Sequence, residues 1–169
     1  MISKAMAAAI NKQINAELYS AYLYFSMSSY ATHIGLKGGA VWFFVQAKEE
    51  MTHAQRFYNY LNNVGEHALM QAIDKPATVF KSLAHMFDEV LAHERKVTAL
   101  IHALADMAVK EHDHATQTLL QWFVNEQVEE ESNATDIVGK LKLAGNEGGA
   151  LFMIDKDLGT RVFVPPPDL

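Results

Sequence analysis

Apolar side chains recur at three- and four-residue intervals through four long stretches of this chain, and glycine and proline interrupt them at only a few points. From Lys4 to His33 there is no Gly or Pro, and Ile10, Ile14, Ala21 and Phe25 repeat at the spacing of one helix face, which predicts a helix over 4–33. The glycine-rich run from Gly35 to Gly39 ends it. The next glycine-free stretch, Ala40 to Val64, carries Phe43, Phe57, Tyr60, Leu61 and Val64 on one side and stops at Gly65, predicting a second helix over 39–64. A third and a fourth are expected over 82–111 and 114–143, with His112 and Asp113 as the turn between them and Asp113 as an N-cap. Beyond Gly145, Gly148 and Gly149 the apolar residues after Ala150 predict a short fifth helix over 149–157, followed by a Pro165-Pro166-Pro167 tail.

The first and second helices are joined by a short link, as are the third and fourth, so each pair is expected to lie antiparallel. Glu66 to Lys81 contains Asp74-Lys75-Pro76 and has no sustained period. It reads as a connection, and at roughly 3.3 Å per residue it reaches about 50 Å, enough to cross to the other end of a bundle. Two hairpins joined by one long crossover give an all-α four-helix bundle that differs from simple up-down-up-down connectivity. A chain of 169 residues fits one domain over 1–169.

Each of the four helices places an acid inside its apolar stripe. Glu17 falls between Ile14 and Ala21, Glu50 and His53 between Phe43 and Phe57, Glu94 between Leu91 and Val97, and Glu130 between Phe123 and Ala134. Counted from the bundle end that holds the first loop, all four carboxylates lie roughly 18–24 Å down, one layer about 6 Å thick. Four anions in a low-dielectric interior must be protonated, paired with cations or bound to metal, since each costs several kcal/mol otherwise. No Lys or Arg falls in these stripes. Glu50-Met51-Thr52-His53 has the ExxH spacing that sets a carboxylate and an imidazole on one face to chelate an ion. Four carboxylates and one nitrogen form a hard ligand set that suits iron or manganese better than copper or a structural zinc.

Composition narrows the chemistry further. There is no cysteine, which excludes a disulfide scaffold, a thiolate metal site and a thiol nucleophile. The net charge is −6 without a basic cluster, so nucleic acid is not an expected partner. Asn11, Lys12, Gln13 and Asn15 interrupt the first apolar run before a signal or membrane segment develops, giving the expectation of a soluble, cytoplasmic protein.

The segments AELYSAYLYFSMS around Glu17 and Tyr24, FFVQAKEEMTHAQRFYNYL around Glu50 and His53, HERKVTALI around Glu94, and LQWFVNEQVEEE around Glu130 resemble those of bacterial non-haem ferritins. The resemblance runs from the first residue to about residue 160 and implies a ferritin-like bundle. It further implies a ferroxidase centre in which Glu17 and His53 hold one iron, Glu50 bridges, and Glu94 and Glu130 hold the second, with Gln127 alongside. Tyr24 would be a neighbouring phenol, either redox-active or hydrogen-bonding, and its other reading is a plain core tyrosine. A third iron site towards the cavity is implied at Glu49, Glu126 and Glu129, although an EQVEEE run taken alone more often forms a solvated face. The implied activity is oxidation of Fe(II) by O2 or H2O2, coupled to storage as ferric mineral inside a 24-subunit cage of identical chains.

Two alternatives stand beside this reading. Bacterioferritins and most di-iron bundles carry a second ExxH, but here Gln127-Val128-Glu129-Glu130 puts a glutamate where that histidine would be. Met51 stands where bacterioferritins have their haem-ligating methionine, and a methionine at a subunit contact explains it without haem. No haem is expected. A soluble dimetal oxidoreductase is the second alternative, sharing the site but not the cage. Of the other histidines only His112 and His114 have paired spacing, and they lie at a turn expected to face solvent.

Overall fold

A computed structural model describes residues 2–145 and 147–166. In order these form α1 (Lys4–His33), α2 (Lys37–Asn63), α3 (Leu83–Lys110), α4 (His114–Ala144) and α5 (Gly148–Leu158), with no strand among the described residues. Pro167, last of the three tail prolines, lies outside them. The helix starts follow from capping chemistry. Ser3 Oγ accepts from the Met6 amide at 2.9 Å, Ser82 Oγ from His85 at 3.1 Å, and Asp113 Oδ1 from Thr116 at 3.1 Å, each satisfying an amide with no partner inside its helix.

The largest departure from the expected bounds is at α2, which begins at Lys37 and takes Gly38 and Gly39 into its first turn. Leu36 offers no side-chain cap there. The cap comes instead from α5, where the Asp155 carboxylate accepts from the Gly38 amide at 3.1 Å and the Gly39 amide at 2.8 Å and sets a negative charge at the positive end of α2. A Cβ on Gly38 would stand 1.5 Å from the Asp155 carbonyl oxygen, so only glycine lets α5 come this close.

Within the bundle α1 packs on α2, α3 on α4 and α1 on α3, while α5 rests on α2 and α4. The crossover between α2 and α3 has no regular structure but is tied down along its length. Asn11 of α1 accepts from the Leu69 amide at 2.6 Å and donates to the His67 carbonyl at 3.2 Å, and Ser26 donates to the Ala77 carbonyl at 2.6 Å. Phe25 was expected on the buried face of α1 but is 39% exposed and meets Phe44 edge-on outside the core. The stripe advances from Ala21 to Tyr24, because a 3.6-residue period drifts off strict i, i+4 steps.

The apolar interior consists of two separate blocks. One gathers Met27, Phe43, Phe87, Val90 and Leu141, with Phe43 stacked on Phe87 at 5.0 Å. The other gathers Met6, Ile14, Phe57, Ile101 and Phe123, with Phe57 stacked on Phe123 at 3.9 Å. Between them lies a buried polar layer of Glu17, Ser20, Glu50, His53, Glu94, Gln127 and Glu130. No helix of the described residues is long and apolar enough to cross a membrane.

Candidate metal centre

The four acids predicted from the stripes are all buried, at 1–7% exposure, together with His53 at 4%. Glu17 comes from α1, Glu50 and His53 from α2, Glu94 from α3 and Glu130 from α4. One ligand atom from each of Glu17, Glu50 and His53 lies within 4.8 Å of the others, which is metal-chelating geometry. The Glu50 carboxylate is 3.4 Å from His53 Nδ1.

Two glutamines outside the expected set fix these carboxylates. Gln13 Nε2 donates to Glu17 at 2.9 Å, and Gln46 Nε2 donates to Glu50 at 3.0 Å. Both reach the acid one turn ahead, so α1 and α2 use the same Gln-x-x-x-Glu device. That repeated spacing was the available signal. On the other side the Tyr24 hydroxyl donates to Glu94, and Gln127 Nε2 donates to the Glu94 carbonyl at 3.2 Å and to Thr98 Oγ1 at 3.2 Å. Gln127 Nε2 also lies 3.5 Å from the Glu94 carboxylate, so Tyr24 and Gln127 both reach it. His93, next in sequence, is turned away from the layer's acids, its Nε2 2.8 Å from Ser20 Oγ, and burial pushes it down to about 4.

The electrostatics express the cost of crowding. Glu17 is raised to about 8, first by burial and then by the charge of Glu50. Glu50 is raised to about 8 by burial and then by Glu130. Glu94 is driven well above the ordinary carboxylate range by burial, then by Glu50 and Glu130. Tyr24 is likewise pushed up by burial and by the negative charge of Glu94. Glu17 Oε2 is buried with no hydrogen-bond partner, and among the described residues no Lys or Arg forms an ion pair with any of the four acids. A buried acceptor with no donor, in a ring of carboxyls with no basic partner among the described residues, fits a cation. Four oxygen donors and one imidazole make that cation a hard metal such as iron or manganese.

Glu49, Glu126 and Glu129 line a neighbouring cavity of about 360 Å³ together with His53 and Glu130. Burial raises Glu49 to about 7 and also raises Glu126. The tail following α5 forms another wall, with Arg161, Val164, Pro165 and Pro166 against the same space. The Arg161 guanidinium donates to the Glu49 carboxylate and lies 4.4 Å from the centroid of Trp42. Nothing in the helical periodicity could have found Arg161, because it lies beyond the last helix. His112 and His114 are exposed at their turn, as expected, and Met51 is 46% exposed on α2.

Residues 7–144 match the model of the ferritin-like domain family. The chain is 38% identical over 163 residues to the bacterial non-heme ferritin of Staphylococcus aureus strain MRSA252, covering 96% of this chain and 98% of that protein. Among solved structures, a humanized archaeal ferritin superposes with a TM-score of 0.96 at 48% identity, covering 98% of this chain and all of that one. An open pore ferritin from the hyperthermophilic archaeon Archaeoglobus fulgidus superposes with a TM-score of 0.95 at 46% identity, over 96% of this chain and all of that one.

Proposed function

Since this chain belongs to the ferritin family, we propose that it stores iron, taking Fe(II) as substrate, oxidising it between its four helices and holding the product as ferric mineral. The observation that carries this reading is the buried layer of Glu17, Glu50, His53, Glu94 and Glu130, which has no counter-cation of its own. Glu17 and His53 hold one ferrous ion, Glu94 and Glu130 the other, and Glu50 lies between them.

Binding iron displaces protons from the carboxyls that burial keeps neutral. Each ion then gives one electron to O2. Two Fe(II), one O2 and two protons yield two Fe(III) and one H2O2; with H2O2 as oxidant, two Fe(II) and two protons yield two Fe(III) and two waters. Gln13 and Gln46 keep the Glu17 and Glu50 oxygens aimed inward, and Tyr24 and Gln127 do the same for Glu94. The Glu49, Glu126 and Glu129 cavity adjoins His53 and Glu130 and offers a third iron position on the way to the mineral.

Storage requires a shell, and we assign this chain to a homo-oligomeric cage of 24 subunits. Tyr22, Phe25, Val41, Phe44, Met51 and Tyr58 on α1 and α2 are all at least 39% exposed, an apolar surface of the kind that subunit contacts cover. This face favours the cage over a free-standing dimetal oxidoreductase, and it accounts for Met51 without haem. The test is native mass by sedimentation before and after aerobic Fe(II) addition, with stopped-flow oxidation of Glu50→Ala and Glu94→Ala at two Fe(II) per subunit. A large shell that gains mass with iron, and folded variants that lose the fast phase, are the expected results. A species of one to four subunits, or near-normal rates in both variants, refutes the reading.

A further inference from the structure

We propose that Arg161 is a built-in counter-cation of the inner acidic cavity, competing with iron for Glu49 and setting how tightly the third position binds metal. This rests on the inner cavity being a metal position, as read above. Glu49, Glu126, Glu129 and Glu130 bring four acids to one cavity, and the chain itself supplies a cation there. Arg161 reaches Glu49 from the tail after α5, across 112 residues of sequence, and its charge opposes the rise in Glu49 that burial causes.

Three features show that the guanidinium is placed. It lies over the Trp42 ring at 4.4 Å, so α2 provides both its carboxylate and its aromatic platform. Its residue is anchored by α5, where the Thr160 amide donates to Asp157 at 3.0 Å and the Thr160 hydroxyl to the same carbonyl at 2.7 Å, and α5 in turn is held by Asp155 on Gly38 and Gly39. Its Nη1 is buried with no hydrogen-bond partner. The guanidinium pairs with Glu49 through Nη2 and leaves Nη1 without a partner, so Glu49 is its one carboxylate contact among the described residues. Iron arriving at Glu49 from Glu130 must therefore displace Arg161, and an iron that moves on lets Arg161 return. Arg161 offsets one of the cavity's four acids when it is empty, and the inner position is kept weak so that it passes iron along.

The probe is Tb³⁺, a hard and redox-inert cation suited to a glutamate site, titrated into the iron-free full chain and followed by tryptophan-sensitised luminescence. Parent, Arg161→Ala, Arg161→Lys and Glu49→Gln proteins are compared, with circular dichroism and native mass to show that each is folded and assembled. Removing the competitor should tighten only the weakest binding step in Arg161→Ala, about five- to tenfold. The tighter steps should stay unchanged, Arg161→Lys should fall between, and Glu49→Gln should lose the weakest step. Equal affinity of that step in parent and Arg161→Ala overturns the competition while leaving the inner position intact. Binding of only two ions per subunit by both proteins overturns the inner position and the competition with it.

Discussion

Metal binding should expel an unusual number of protons. Glu17 and Glu50 stand at about 8, and Glu94 lies well above the usual range, all chiefly through burial. At pH 7 a group at about 8 is roughly nine-tenths protonated, and Glu94 is shifted in the same direction. Filling the centre with two ions should therefore release about 1.8 protons per subunit from Glu17 and Glu50, with a further contribution from Glu94. Ordinary glutamates near 4.5 would be under about 1% protonated and would release almost none. The sign with pH follows. As pH rises through 8, Glu17 and Glu50 lose their protons before metal arrives, so their share of the release should fall to about 0.2 at pH 9. Calorimetry of Zn²⁺ binding to the iron-free protein, in two buffers of different ionisation enthalpy, measures the release without redox chemistry. Glu17→Gln should lower it by about 1 at pH 7 and so separates the carboxyls from any metal-bound water. A release below about half a proton at pH 7, or one unchanged between pH 7 and 9, would refute the assignment of burial as the dominant force in this layer.

The same protons shape the stability of the metal-free protein. Because folded Glu17 and Glu50 titrate above the unfolded value, the folded state keeps protons that the unfolded state releases between about 4.5 and 8, and stability falls across that window by up to about 1.4 kcal/mol per pH unit per group. Urea unfolding at pH 5.5 and 7.5 should show this loss in the parent and a smaller one in a Glu17→Gln, Glu50→Gln variant, where Glu94, shifted the same way, remains; parallel behaviour would contradict it. Gly38→Ala should cost about 2–4 kcal/mol, since its methyl meets the Asp155 backbone and dislodges the cap of α2. Gly139→Ala, where a Cβ meets nothing within 4 Å near the C-terminal end of α4, should stabilise by about 0.5–1 kcal/mol, and thermal scans that rank the two the other way would undo the close-approach account.

The bundle was legible because periodicity and chain punctuation act locally. A stripe of apolar residues, a Ser or Asp at a helix start and a glycine at its end each leave a mark within a few residues, and the four long helices were read to within two residues. The buried acids were legible for the same reason, as exceptions to those stripes. Features made by distant partners were not. Gly38 and Gly39 look like a helix stop until Asp155 caps them from the far end of the chain. Arg161 has no periodic neighbour, and its meeting with Glu49 depends on where α5 docks. Phe25 was misplaced by a small phase drift over two turns, enough to move it from the core to the outer face.

The polar layer that divides the interior also divides the subunit mechanically. No continuous apolar packing runs from the Phe43 and Phe87 end to the Phe57 and Phe123 end, so in the metal-free molecule the helices themselves are the main structure spanning both. Each works as a beam supported at two ends and lightly braced at mid-span, by hydrogen bonds such as those of the Tyr24 hydroxyl and the Gln127 amide to Glu94 of α3. On the proposed function, side chains drawn from all four helices would turn that mid-span cross-section into a joint when metal binds. On that reading the subunit would stiffen where it works, and only while it holds its cargo.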